Sequence, residues 1–109
     1  MATLFKNAVI KNVGTEAIQM YEVGASGRTT VIGLSLTNLT ESVVYVDVLV
    51  KDDTSVEAFY LKHTAVPPDS SLRAVQQGEK LILDSNNAIS VKADIDDAID
   101  AVLSYVEVV

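Results

Sequence analysis

The sequence predicts an all-β protein: an Ig-like antiparallel β-sandwich of about seven to nine short strands. Three observations lead there. Apolar residues alternate with polar ones at a period of two along most of the chain, which places each set on one face of an extended strand. Clusters of Gly, Pro, Asn, Asp and Ser interrupt these runs roughly every 8–12 residues, the spacing of sandwich and barrel turns. The apolar fraction is 49% but the aromatic fraction only 6%, and a core of Val, Ile and Leu suits a pleated surface.

The first strand is expected at Leu4–Ile10, with Phe5 and Val9 evenly spaced across Asn7, and Lys11–Gly14 turns. Ala17–Val23 is extended but apolar on both faces, and Gly24-Ala25-Ser26-Gly27 is a strong turn signal. The spine of the chain is Thr29–Lys51. Ile32, Leu34 and Leu36 alternate in its first half, and Val44, Val46, Val48 and Val50 in its second. With only Leu39–Ser42 between them, the two halves predict an antiparallel hairpin at the centre of the core.

Asp52–Ser55 ends that spine, and Val56–Thr64 resumes as a strand with Phe59 and Leu61 expected inward. Pro67-Pro68-Asp69-Ser70 cannot continue a central strand, because neither proline donates to a ladder. Ser71–Val75, Lys80–Leu83, Ala88–Ala93 and Ala101–Val109 follow as strands, separated by turns at Gln76–Glu79, Asp84–Asn87 and Asp94–Asp100. Within Asp94–Val102 the spacing of Ile95, Ala98, Ile99 and Val102 allows one helical turn capped by Asp94. The expected core is Ile32, Leu34, Leu36, Val44, Val46, Val48, Leu81, Leu83, Ile89, Val91 and Leu103.

At 109 residues the sequence fits a single domain, residues 1–109. There is no cysteine, so neither a disulfide framework nor a thiolate metal site can form. Fifteen acids against eight bases give a formal charge of −7, which argues against nucleic acid and anionic membrane surfaces as partners. No apolar run reaches the roughly 20 residues of a membrane-spanning helix, and the start MATLFKNAVI lacks the apolar stretch of a signal peptide.

No constellation points to catalysis. His63 is the only histidine, no G-x-S-x-G elbow is present, and the chain is read as non-enzymatic with no cofactor. The run Asp94, Asp96, Asp97, Asp100 could converge on calcium, but it lacks the EF-hand loop pattern and reads better as a solvated connection. Asn38-Leu39-Thr40 fits the glycosylation pattern and reads better as turn chemistry. The apolar excess is more informative. Val43, Tyr45 and Leu49 lie opposite the valine core, and the last strand carries Leu103 and Tyr105 on one face with Val102, Val106 and Val108 on the other. Strands apolar on both faces suit association, so Val43, Tyr45, Leu49, Tyr105, Val106 and Val108 are the candidate protein-interface residues.

The stretches FKNAVIKNVGT, TTVIGLSLTN, VVYVDVLV, PPDSSL, GEKLILDSNNAISV and the closing LSYVEV span nearly the whole chain. Together they resemble small β-sandwich virion structural proteins of tailed bacteriophages, especially those of cyanobacteria and other aquatic bacteria. The resemblance implies no catalytic residues. It implies a protein of the virion that decorates or cements the capsid or serves the neck or tail, with other virion subunits and copies of itself as partners. The alternative reading is a carbohydrate- or calcium-binding β-sandwich adhesion module, whose sugar-stacking candidates are Tyr21, Tyr45, Tyr60 and Tyr105. Ordered termini, Met1–Leu4 and Val108–Val109, are expected if assembly ties them down.

Overall fold

The period-two runs form strands in the computed structural model, which describes residues 2–75 and 79–109. Among those residues the strands are β1 (Thr3–Val13), β2 (Ile18–Glu22), β3 (Arg28–Asn38), β4 (Val44–Lys51), β5 (Glu57–Val66), β6 (Ser71–Val75), β7 (Leu81–Leu83), β8 (Ala88–Ala93) and β9 (Ile99–Val108). They make two antiparallel sheets. The first runs β1-β9-β3-β6, with β7 also paired to β3, and the second runs β2-β8-β4-β5. This is the all-β sandwich that the sequence predicts. The turn expected at Gln76–Glu79 falls largely outside the described residues.

The pairing is nested: β4 with β5, β3 with β6, β2 with β8, and β1 with β9. Folding this long ladder over itself adds the β3–β9 and β4–β8 contacts. The eight strands paired in this way form a jelly roll, to whose first sheet β7 adds a fifth strand, which refines the Ig-like connectivity expected from sequence. One pairing is corrected outright. The two halves of the spine do not form a hairpin, because β3 lies in the first sheet and β4 in the second. Leu39–Ser42 is therefore an arch between layers.

Asn38 explains the arch. Its side chain is buried, and its amide donates to the carbonyl oxygens of Ser42 at 2.7 Å, Val66 at 3.0 Å and Pro67 at 3.2 Å. Its Oδ1 accepts from the backbone N–H and the hydroxyl of Thr40, both at 2.8 Å. The residue thus meets the requirement that buried polar groups be paired, and its amide nitrogen is closed to glycosylation in the folded chain.

Val31, Leu34, Leu36, Val44, Val46, Val48, Leu83, Ile89, Val91, Ile99 and Leu103 fill the space between the sheets. Three expected inward positions differ. Ile32 is 45% exposed, because the β3–β9 register shifts between Val31 and Gly33 and leaves it as the extra residue of a bulge. The shift moves the inward parity from Thr29 and Val31 to Leu34, Leu36 and Asn38. Phe59 is exposed for a similar reason: β5 shifts register twice against β4, and Phe59 ends opposite the outward-facing Leu49. Leu81 is half-buried, packed against the core rather than within it. The Asp94–Val102 segment makes a non-helical turn before β9 begins at Ile99. Ala2 and Val109 exchange two backbone hydrogen bonds, 2.7 and 3.0 Å, so the chain's own strands order that end; Met1 lies outside the described residues.

Candidate functional site

The outer face of the first sheet carries several exposed large apolar side chains, Phe5, Val9, Ile32, Ile82 and Val102. Its geometry follows from the register. One row runs Phe5, Val106, Thr30, Ile82 across β1, β9, β3 and β7. The next is Asn7, Ser104, Gly33, and a third is Val9, Val102, Ser35, Arg73. Phe5 is 79% exposed, Val9 64% and Ile82 62%, with Ile32 and Val102 also exposed. The small residues of the middle row leave a shallow, open depression bordered by Phe5, Ile32 and Ser104 and, beyond it, by Val102 and Arg73. Arg73 is the one charged side chain in these rows. A chain of net charge −7 thus presents a face whose three rows hold no carboxylate.

The outer face of the second sheet is smaller and more polar. Tyr45 stacks on His63 with ring centroids 4.1 Å apart and planes 5° from parallel. The Asp47 carboxylate accepts the His63 backbone N–H at 2.7 Å, holding a residue whose φ of 50° is left-handed. Leu49 lies opposite Phe59, over which the Lys62 ammonium sits 5.0 Å from the ring centroid.

The six residues singled out from sequence are therefore dispersed. Tyr45 and Leu49 are half-buried on the second sheet's outer face, and Val43 is exposed just before β4. Val106 sits in the Phe5 row of the first sheet, and Val108 pairs with Thr3 and Arg28 near the strand end. Tyr105 is a correction. It is buried at 6% exposure, pointing between the sheets with its ring 4.3 Å from that of Tyr21, so it offers no surface. The first and last strands do carry exposed apolar residues, Phe5, Val9 and Val102, while Ile32 and Ile82 join them although the sequence places neither among the interface candidates. The even spacing of Phe5 and Val9 was legible, but the bulge that turns Ile32 outward was not.

Three of the four carboxylates in the acidic run hold loops. Asp94 accepts the Tyr45 N–H at 3.0 Å, Asp96 accepts the Thr15 N–H at 3.1 Å and its hydroxyl at 2.9 Å, and Asp100 accepts the Asn12 N–H at 3.0 Å. These bonds hold the Asp96 carboxyl below its ordinary range. These three carboxylates bond separate partners, and among the described residues no three His, Cys, Asp or Glu side chains converge on a metal position. Three of the four candidate tyrosines are engaged elsewhere: Tyr105 is buried, Tyr21 directs its hydroxyl to Thr29 and Glu107, and Tyr60 bonds Glu79, which leaves Tyr45, stacked on His63, on the second sheet's outer face.

No family model and no curated protein matches the chain. Among solved structures it is similar to a chain of the acidic stable capsid structure of Helicobacter pylori bacteriophage KHP30, with a TM-score of 0.53, 11% identity, and coverage of 98% of this chain and 87% of that one. It also aligns with a chain of infectious bursal disease virus Gt strain, with a TM-score of 0.49, 4% identity, and coverage of 97% of this chain and 32% of that one. At 11% identity the phage likeness is one of fold: this chain folds like a chain of a bacteriophage capsid.

Proposed function

We propose that this is a non-enzymatic structural protein of a bacteriophage particle, located in the virion as a capsid decoration or cement protein or as a neck or tail accessory. It would act through contacts with other virion subunits and with copies of itself. The observation that carries this reading is the run of exposed apolar side chains, Phe5, Val9, Ile32, Ile82 and Val102, on the outer face of the first sheet, in rows that hold no carboxylate, on a chain with the fold of a phage-capsid chain. Jelly rolls serve several functions, so the surface and not the fold alone supports the choice. Each large apolar side chain on that face would contribute about 1.5–3 kcal/mol if fully buried against a neighbour, offset in part by the entropy of association.

The test is a particle preparation. Immunogold labelling with antibodies to the purified protein should decorate purified particles, and a folded Phe5→Asp/Ile82→Asp variant should be missing from them. Particles that band without the protein, while it remains in the lysate supernatant, would overturn the proposal.

A further inference from the structure

The edges of the two sheets are not alike. In the second sheet β2 has only five residues and a register shift, and β5 carries two shifts. In the first sheet β1 is eleven residues long and pairs with β9 without interruption from Thr3 to Ile10. Among the described residues β9 is the only strand paired with β1, so its other side offers a long regular row of backbone donors and acceptors. Such an edge is a template for another strand unless bulges, prolines or inward charges blunt it. The Lys6 ammonium does not guard it, because it is drawn to the Glu107 carboxylate of β9 at 3.2 Å.

We infer that β1 pairs antiparallel with β1 of a second copy about a two-fold axis at Asn7, joining two first sheets into one continuous sheet. The register follows from the side chains. Facing residues must share a face, so a symmetric pairing has to be centred on a residue. Centring on Lys6 sets one ammonium against its twin. Centring on Ala8 sets Lys6 against Ile10 and Phe5 against Lys11. Centring on Asn7 sets Phe5 against Val9 twice on the outer face, an aromatic–β-branched pair, with Leu4 against Ile10 and Lys6 against Ala8 on the inner face. β1 has no acidic side chain, so the two-fold joins the copies through a strand that holds none of the protein's negative charge. The inference concerns the strand edge and stands independently of the virion reading.

Since the chain has no cysteine, Asn7→Cys places a single thiol on the proposed axis, where facing Cα atoms lie about 4.5–5.5 Å apart, within disulfide range. Mild oxidation should give a covalent dimer of Asn7→Cys but not of Val102→Cys, on the same face of the interior strand β9. Light scattering of the unaltered protein should show a monomer–dimer equilibrium that salt shifts toward dimer, because screening weakens repulsion between two chains of charge −7. Phe5→Lys/Val9→Lys should weaken the dimer at least tenfold, and Phe5→Glu/Val9→Lys should restore it. A monomer at all concentrations, cross-linking at Val102→Cys instead, or equal behaviour of the two double variants would overturn the inference.

Discussion

The side-chain amide of Asn38, at the end of β3, donates to the carbonyl oxygen of Val66, at the end of β5, across 3.0 Å. One residue thereby ties the two sheets together at the point where the chain crosses between them. Truncation in Asn38→Ala would leave the carbonyls of Ser42, Val66 and Pro67 without this donor and Thr40 without its acceptor. The expected cost is about 2–3 kcal/mol, seen as a lower urea midpoint with an unchanged slope.

Val46 is fully buried on the inner face of β4, opposite Ala93 and Thr64. An aspartate there would be a buried charge without a partner, at a cost of several kcal/mol. Val46→Asp should fail to fold, as should Leu34→Asp in the facing sheet. A soluble Val46→Asp protein with an unchanged thermal midpoint would contradict this core assignment.

Tyr21 and Glu107 link β2 to β9 through a 2.8 Å hydrogen bond. Burial, with a smaller contribution from Glu107, pushes the Tyr21 phenol up to about 12, against a stabilising bond from Thr29. The Tyr21 hydroxyl, and then Lys6, hold the Glu107 carboxyl below its ordinary range. Folding therefore favours neutral Tyr21 beside ionised Glu107. The Glu107 contribution is present above the ordinary carboxylate pKa and lost as pH falls through its lowered value. The Tyr21 contribution is present below pH 10 and lost as pH rises toward about 12. Thermal midpoints measured against pH should fall at both extremes, with both limbs shallower in Tyr21→Phe. Some alkaline loss should persist, since Tyr60 is also raised to about 12 by burial and by Glu79.

Gly14 is required by close approach. A Cβ there would lie 2.8 Å from Asp96 Oδ1 and 3.1 Å from Asp96 Cα, and Asp96 is held in place by Thr15. Gly14→Ala should cost about 1–3 kcal/mol, whereas at Gly24 a Cβ would meet nothing within 4 Å and alanine should be tolerated. Parallel urea titrations of the two variants distinguish the cases.

Strand positions were legible because period-two alternation and turn residues are local signals. The Pro67–Ser70 break and the valines of β4 needed nothing else. Pairing was less legible, because the short Leu39–Ser42 connection suits either a hairpin or an arch, and the choice rests on Asn38 reaching Val66 and Pro67 far along the chain. Bulges were the other hidden term. The register shift at Ile32 exchanged a core position for a surface one, and those in β5 turned Phe59 outward. Tyr105 shares the face of Leu103, an expected core residue, so its burial against Tyr21 follows from the same alternation and the interface assignment ran against it.

The nested ladder also orders how the molecule can come into being. The β4–β5 pair joins neighbours in sequence and closes a short loop, whereas β1–β9 joins residues almost a full chain length apart, the slow kind of contact. The strand at the heart of the first sheet, β9, is also synthesised after the other eight. Until residues 99–108 have emerged, β1 has no partner and β3 lacks its longest one, so the nascent second sheet is left without its facing layer.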